Sequence, residues 1–290
     1  MNYIVFDFEW NNAYDYKAQK GMNEIIEIGA IKLNSQFVVE DTFKQLIKPQ
    51  VSRRLSGRVK ELTNISLSEI KEDGIPFEEA IRDFSRWAGT DETVFMSWSN
   101  SDLYVLVSNF IRFFKTTNVY FIKKYMDAQK YCQYFLNIPK GSQISLANCA
   151  DTLALNINEE NLHRALEDCV VTAKCVKKLY DDKLISQYIH TCDEDFFGRL
   201  AFKPYCIDVP VTEHYNVYKE RLVCPACSGK ARIIGEVECV NKSFKALCTC
   251  EKCKKKFWAF IRAKKTYDGV SVNKRIVPIS KHRKIKDSNK

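Results

Sequence analysis

Short apolar runs and longer stretches of helical periodicity alternate through the first two thirds of the chain. Runs rich in β-branched and aromatic residues predict strands at 3–8, 24–33, 37–48, 94–98 and 119–122. Apolar residues at helical spacing predict helices at 76–87, 103–115, 127–136, 146–155 and 165–179. Consecutive strands followed by alternating strands and helices are typical of a three-layer α/β domain with a mixed central sheet.

This pattern changes after residue 191. Residues 192–220 include Pro204 and Pro210 and have little periodicity, which indicates a linker. Residues 221–280 contain strand-like segments between two cysteine pairs, and residues 281–290 are rich in Lys and Arg. We therefore predict a first domain over residues 1–191, a linker, a small second domain and a basic tail.

Charge divides the chain in the same place. Residues 221–290 hold 19 Lys and Arg against 5 Asp and Glu, a net +14, which leaves −5 for residues 1–220. A small, strongly basic domain suggests a polyanionic partner, and nucleic acid is the commonest polyanion. The mildly acidic first domain is compatible with a metal site built from carboxylates.

Other features bear on the compartment. The sequence contains no apolar run of roughly 18–20 residues, and its N-terminus lacks the features of a signal peptide. Of the twelve cysteines, eight lie outside the paired motifs. Their scattered positions fit buried thiols of a protein in a reducing compartment. We expect a cytoplasmic protein that does not contact a membrane.

Two carboxylates end the first predicted strand, in the sequence IVFDFEW. Asp7 and Glu9 are two residues apart, so in a strand they project from the same face. Two like charges on a largely buried face repel each other and lose hydration, and a positive partner must offset that cost. That partner is either a Lys or Arg side chain or a metal ion, unless both carboxylates are simply solvated.

Two further motifs supply acidic residues and one histidine. Asp102 follows the strand at 94–98, at a place where it could also serve as the N-cap of the next helix. The sequence HRALED, with His163 and Asp168, opens the last predicted helix of the first domain. Taken alone, Asp168 could have only a structural role, because a negative charge in the first turn of a helix interacts favourably with the helix dipole.

In this order the motifs resemble the DEDDh 3′-5′ exonucleases, a superfamily that includes ribonuclease T. The resemblance covers about residues 1–180 and includes EIIEIGAIKL, LTNIS and SLANCADTLAL. Within the superfamily, the chain is most similar to the KapD-like and histone-mRNA-exonuclease-like branch, rather than to polymerase proofreading subunits. The resemblance implies a ribonuclease H-like fold with two Mg²⁺ or Mn²⁺ ions held by Asp7, Glu9, Asp102 and Asp168, and His163 as general base.

The implied activity is metal-dependent hydrolysis of single-stranded nucleic acid from its 3′ end, of RNA in preference to DNA. By the same resemblance, Trp10, Thr63 and Ile65 are candidates for contacts with the terminal sugar and base. Two departures concern substrate fit, because Trp10 replaces a smaller residue and Asn100-Ser101 precedes Asp102 where a glycine is expected. The alternatives are a DNA-directed repair exonuclease and a non-catalytic nucleic-acid-binding adaptor on the same fold.

Four cysteines in the second domain have the spacing of a zinc ribbon. Cys224-Pro-Ala-Cys227 and Cys250-Glu-Lys-Cys253 are two C-x-x-C pairs separated by strand-like segments, and four thiolates complete a tetrahedral, structural Zn²⁺ site. Cys248 is an alternative ligand, and we expect Cys239 to be buried. Lys254, Lys255, Lys256 and Trp258 are candidates for nucleic-acid contacts, with a protein partner as the alternative role of the ribbon.

Overall fold

The computed structural model describes residues 1–52, 54–89, 93–156 and 164–279. These residues form two compact units, which divide between Ala201 and Phe202. The general base predicted at His163 and the basic tail predicted at 281–290 lie outside the described residues. In the described part of the chain, no helix combines the length and the apolar character required to cross a membrane.

The first unit contains six strands and nine α-helices among its described residues. The strands are β1 (Asn2–Asp15), β2 (Lys20–Leu33), β3 (Val39–Leu46), β4 (Thr93–Ser97), β5 (Lys124–Asp127) and β6 (Ile189–Thr191). The helices are α1 (Gly57–Thr63), α2 (Leu67–Asp73), α3 (Phe77–Ala88), α4 (Asn100–Phe113), α5 (Ala128–Phe135), α6 (Leu146–Thr152), α7 (Ala165–Lys178), α8 (Asp182–Ile185) and α9 (Glu194–Ala201).

The six strands form one mixed sheet in the order β3-β2-β1-β4-β5-β6. Strand β1 pairs antiparallel with β2 and parallel with β4, and β4 pairs parallel with β5. Because parallel neighbours need crossover connections, helices cover both faces of the sheet. This three-layer, ribonuclease H-like architecture confirms the fold class predicted from the sequence.

Alternate residues of β1 build the two cores. Phe6 and Phe8 pack with α3, α4 and α9 on one face, whereas Tyr3 and Val5 pack with α5, α6 and α7 on the other. Val5, Asp7 and Glu9 follow one another at a spacing of two, so the carboxylates continue the row of side chains on the face that α7 covers. The apolar pattern of the strand thus decides which helix meets the carboxylates.

Three predictions of local structure need correction. The predicted strand at 119–122 is wrong, because Val119 and Ile122 are buried in a connection and the strand is Lys124–Asp127. Helix α4 begins at Asn100 with Ser99 as its N-cap, so Asp102 lies in the first turn and is not the cap. The linker predicted at 192–220 is divided between the two units, since α9 belongs to the first unit and the strand Tyr205–Cys206 to the second.

The second unit is an antiparallel sheet. Its strands are β7 (Tyr205–Cys206), β8 (Leu222–Val223), β9 (Lys230–Ile233), β10 (Glu238–Val240), β11 (Ser243–Cys250), β12 (Lys256–Thr266) and β13 (Gly269–Pro278). Strands β13, β12, β11, β9 and β8 lie side by side in that order, while β10 pairs with β11 and β7 with β12. One face of β11 and β12 packs on Ile207, Tyr215 and Val217 to form the core of this unit.

Candidate active site and zinc site

Strand pairing places the two N-terminal carboxylates beside two features of β2. Asp7 lies opposite Gly29, and Glu9 lies opposite Glu27. Directly opposite residues of an antiparallel pair project from the same face, so all four share the face that α7 covers. The prediction that Asp7 and Glu9 point together agrees with this register.

Gly29 allows helix α7 to approach the sheet. A Cβ atom at this position would lie 2.3 Å from the backbone carbon of Ala165 and 2.3 Å from the backbone nitrogen of Leu166. Such distances are far inside van der Waals contact, so only glycine fits. The close approach brings the first turn of α7, which carries Asp168, over the strand that carries Asp7 and Glu9.

A buried ion pair fixes the same helix end. Glu27 is fully buried, and its Oε1 accepts a hydrogen bond from Nη2 of Arg164 at 2.9 Å. Its other oxygen accepts a bond from the backbone N–H of Ala165 at 3.4 Å. A buried carboxylate that lost its partner would be strongly destabilising, so the pair holds the start of α7 in place. These roles were not predicted from the sequence, although a Glu within the apolar run EIIEIGA already required a partner.

We expect Gly29→Ala to displace α7. Overpacking of this kind costs about 1–3 kcal/mol, which a thermal unfolding experiment can detect. Gly21→Ala in the same strand is the matched control, because its Cβ would approach no atom closer than the carbonyl oxygen of Ala13 at 4.0 Å. The hydrolysis that the resemblance implies should also slow in Gly29→Ala alone, since Asp168 moves with the helix. Equal unfolding temperatures for the two variants would contradict this account.

Asp7, Glu9 and Asp168 form a carboxylate cluster. Each offers one oxygen, and these three atoms all lie within 4.8 Å of one another. Burial, then the charges of Asp102, Asp168 and Glu9, raise the pKa of Asp7 well above its ordinary value. Burial, followed by Asp168 and Glu27, raises the pKa of Glu9 to about 8. The raised pKa values indicate that burial and mutual repulsion disfavour the ionised carboxylates. A bound cation would offset this cost.

Asp102 stands at the edge of the cluster, outside the three-residue set. Its Oδ1 accepts a hydrogen bond from the backbone N–H of Phe8 at 3.1 Å, which ties α4 to β1 between the two carboxylates. Burial raises the pKa of Asp102 to about 7, and the Asp168 charge adds to the shift. Asp102 therefore belongs to the same electrostatic system, and its role as a metal ligand stays a prediction.

The cluster suits divalent cations that prefer oxygen. Carboxylate oxygens are the ligands of Mg²⁺ and Mn²⁺, whereas zinc and softer metals select thiolate or imidazole. The three carboxylates are close enough together to bind one metal ion, and they repel one another. A divalent cation would therefore stabilise the cluster more than a monovalent one. The residues present fit the metal ions that the resemblance implies.

The predicted substrate residues differ in exposure. Trp10 is partly buried and packs against the core that contains Phe8. Thr63 and Ile65 are buried at 3% and 1% exposure, and Ile65 packs in a small core of its own beneath α1 and α2. Thr63 Oγ1 donates to the carbonyl of Val59 and accepts from the N–H of Ile65. These contacts give both residues a packing role, and their burial argues against direct substrate contact.

The second unit brings the four predicted zinc ligands together. The Sγ atoms of Cys224, Cys227, Cys250 and Cys253 all lie within 4.8 Å of one another. Cys224 Sγ is 3.6 Å from Cys253 Sγ, and Cys227 Sγ is 3.5 Å from Cys250 Sγ. Four thiolates about 2.3 Å from one Zn²⁺ would be separated by similar distances, roughly 3.8 Å. The geometry fits a closed, structural zinc site.

Two similar turns present these thiols. The backbone N–H of Ala226 donates to Cys224 Sγ, and that of Cys253 donates to Cys250 Sγ, both at 3.4 Å. In each turn, the residue four places after the first cysteine has a left-handed backbone, with φ 55° at Ser228 and 58° at Lys254. The N–H of Cys253 is the largest contribution that lowers the pKa of Cys250, to about 6, which favours the thiolate that zinc requires.

The remaining cysteines of this unit lie outside the zinc set. Cys248 is buried and its Sγ donates to the carbonyl of Ala246, so it is not needed as an alternative ligand. The expectation that Cys239 is buried is wrong, because it is exposed on the short edge strand β10. Lys254, Lys255 and Lys256 are exposed beside the second turn, and Trp258 is partly exposed on β12.

Comparison with known proteins places the first unit. Residues 4–176 match the model of the RNase T family, described as an exonuclease family. The chain is 26% identical over 205 residues to a PolC-type DNA polymerase III from Clostridium perfringens, a match that covers 69% of this chain and 13% of the polymerase. The chain therefore spans a small part of that curated relative.

Solved structures of exonucleases share the fold. A 3′-exonuclease that recognises the 3′ end of a histone mRNA stem-loop matches with a TM-score of 0.54 and 18% identity, over 61% of this chain and 80% of that one. The nuclease domain of 3′hExo, a DEDDh family member bound to rAMP, gives 0.53 and 20%, over 61% and 90%. Because these relatives include both a polymerase and a 3′-exonuclease that recognises histone mRNA, the branch proposed from the sequence stays a prediction. The family match, together with the order of its acidic residues, shows that the chain belongs to the RNase T family of exonucleases, within the DEDDh superfamily.

Proposed function

We propose that the protein is a divalent-metal-dependent 3′-to-5′ exonuclease that hydrolyses single-stranded nucleic acid, with RNA preferred over DNA. The observation that carries this proposal is the carboxylate cluster, in which Asp7, Glu9 and Asp168 place three oxygens within 4.8 Å in a domain of an exonuclease family. A non-catalytic adaptor would have no need to keep three mutually repelling carboxylates together.

In this proposal, Asp7, Glu9, Asp102 and Asp168 hold two Mg²⁺ or Mn²⁺ ions. Such ions stabilise the charge that develops on the scissile phosphate and its leaving oxygen. Asp7 and Glu9 contribute carboxylate oxygens to the metal site from strand β1, and Asp168 contributes one from helix α7. His163 takes the proton of the attacking water, because histidine is the side chain type that ordinarily titrates near neutral pH.

The preference for RNA rests on the family branch to which the sequence is most similar. It agrees with two neighbours in fold, of which one recognises a histone mRNA stem-loop and the other was solved with rAMP. The runner-up is a DNA-directed repair exonuclease, which the similarity to a DNA polymerase III favours. A cytoplasmic location fits the twelve cysteines, none of which forms a disulfide bond.

A cleavage time course tests the proposal. Single-stranded RNA and DNA of the same sequence, labelled at the 5′ end, are incubated with the full chain and Mg²⁺ or Mn²⁺, or without added metal. We expect a ladder of labelled products that shortens with time, faster for RNA, and no cleavage without metal. Early release of the label as a mononucleotide would contradict the direction, and faster loss of DNA would favour the repair enzyme. No cleavage of either strand would favour the adaptor.

A further inference from the structure

One face of the sheet in the second unit is left uncovered by the core of that unit. Along β12, Phe257, Ala259, Ile261 and Ala263 are buried on the inner side, while the residues between them project from the other side. We call that other side the open face. It carries Trp258 and Phe260, both partly exposed, and neither packs in the core of the unit.

Strand register places cations around the two aromatic rings. Phe260 lies opposite Lys245 of β11 and opposite Arg275 of β13, and Arg262 lies opposite Asn273. The Nζ atom of Lys245 is 4.5 Å from the ring centre of Trp258, and the guanidinium of Arg275 is 4.7 Å from that of Phe260. Lys256, Arg262, Lys264 and Arg275 are exposed on this face. Glu238, opposite Lys245, is an acidic residue on the same face.

A depression opens beside Phe260. Its volume is about 290 Å³, near the lower end of the range for ligand pockets, about 300–1,000 Å³. Its lining combines one ring, one valine, two guanidinium groups and three short polar side chains, namely Phe260, Val240, Arg262, Arg275, Asn241, Ser243 and Asn273. Asn241 reaches the rim because it and Lys242 form a two-residue hairpin turn with left-handed backbone, φ 50° and 59°.

We propose that this depression on the open face binds a base of single-stranded nucleic acid, with the flanking cations contacting the phosphates. The inference rests on the proposed function, which it deepens by giving the substrate strand a second holding site. Bases stack on aromatic rings and on guanidinium planes, and the Phe260–Arg275 pair offers both. Amide and hydroxyl groups at the rim can bond to base edges without selecting one sequence.

Charge complementarity favours a nucleic acid over a protein as the occupant. The open face has more cations than acidic groups among the residues described here, and each of its rings already has a cation over it or beside it. A protein interface concentrates apolar contact at its centre, with charge at the rim. On the open face, Arg262 and Arg275 line the depression itself.

Binding measurements on the full chain test the proposal. The probe is a 20-nucleotide single-stranded RNA with phosphorothioate linkages that resist cleavage, and heparin serves as a polyanion without bases. We expect Phe260→Leu and Phe260→Ala to weaken RNA binding by about 5- to 150-fold, since stacking is worth about 1–3 kcal/mol per base. Heparin affinity should remain unchanged in both variants. Arg262→Glu with Arg275→Glu should weaken the binding of both polyanions.

The matched control reverses two charges elsewhere in the unit. Lys203→Glu with Lys219→Glu makes the same change in net charge on exposed residues of the segment that covers the inner face. Zinc content, measured for every variant, reports whether the unit is folded, and Phe260→Leu retains an apolar side chain in case the alanine variant unfolds. If zinc-loaded Phe260→Leu binds RNA as the wild type does, the base site is wrong.

The two proposals can fail separately. Binding is measured without cleavage, so an inactive protein whose RNA affinity depends on Phe260 would keep this inference and overturn the exonuclease. An active protein whose open-face variants all bind RNA like the Lys203 and Lys219 control would keep the exonuclease and overturn the base site. That second outcome would assign the open face to a protein partner.

Discussion

Asp7→Asn is expected to reduce metal-dependent hydrolysis roughly 10³-fold or more, while making the metal-free protein more stable. The loss follows because Asp7 belongs to the carboxylate cluster, and its carboxylate interacts with the charges of Asp102, Asp168 and Glu9. Metal ions contribute several kcal/mol to the stabilisation of charge in such transition states, and each 1.36 kcal/mol corresponds to a factor of ten. Asn has nearly the same shape but carries no charge to hold a dication.

The gain in stability follows from the raised pKa values. A carboxyl group whose pKa is higher in the folded state favours folding while it is protonated, and that contribution is lost as the pH rises through the folded pKa. For Glu9 the window runs from its ordinary value of 4.5 to about 8. At neutral pH without metal, the cluster therefore destabilises the fold, and removing the charge of Asp7 relieves part of the repulsion.

Thermal unfolding with and without Mg²⁺ or Mn²⁺ checks both effects. The wild type should gain stability when the ion is added, whereas Asp7→Asn should be more stable than the wild type without the ion and gain little from it. Asp151→Asn, an exposed position on α6, is the control and should behave as the wild type. Undiminished turnover in Asp7→Asn would contradict the proposed role. A lower unfolding temperature in the metal-free variant would instead make Asp7 a structural residue.

The sequence predicted the apolar centre of the sheet better than its polar extension. Tyr3 to Phe8 read as a strand because apolar side chains fill both faces, but β1 continues to Asp15. That extension pairs with the start of β2, and two of its polar residues, Asn11 and Asp15, are buried with partners inside the fold. Asn11 is fully buried and bonds to the backbone of Arg54 and Ser56, and Asp15 pairs with Arg112. Contacts with residues so distant in sequence leave no local periodicity.

The strand predicted at 119–122 failed for a related reason. The apolar residues Val119 and Ile122 do lie in the core, but their burial comes from the connection after α4. Strand β5, which begins at Lys124, is only four residues long and is defined by its neighbours β4 and β6. A short apolar run reports burial, whereas backbone pairing depends on the rest of the sheet.

Within the site, the period of a strand was enough to align Asp7 with Glu9. The position of Asp168 beside Asp7 and Glu9 could not be predicted from the local sequence pattern, because it depends on how closely α7 packs on β2. Gly29 and the Glu27–Arg164 pair set that approach. The clustering of Cys224, Cys227, Cys250 and Cys253 was easier to predict, since the spacing of metal ligands is itself a property of the sequence.

Removal of zinc is expected to unfold the second unit and to lower the affinity of the protein for long single-stranded nucleic acids. Zinc binding is worth about 10–16 kcal/mol in small metal domains. The four thiols here lie at two turns, one between β8 and β9 and one between β11 and β12. Without the ion, four close thiolates would repel each other. The first unit has its own cores and should keep its fold and its activity on short strands.

The salt dependence of the affinity for single-stranded nucleic acid shows how many phosphate contacts the second unit contributes. Each phosphate neutralised on a single strand adds about −0.7 to the slope of log affinity against log salt, so losing three or four contacts should flatten the slope by roughly 2–3 units. The full chain is compared before and after treatment with a zinc-selective chelator, and with a chain ending at Ala201, where the first unit ends. Chelated and truncated proteins should give the same flattened slope, because a charged but unfolded segment cannot present the open face. If chelation and truncation both left the slope unchanged, the basic second unit would have to serve a protein partner, since its net charge would then play no part in holding the strand.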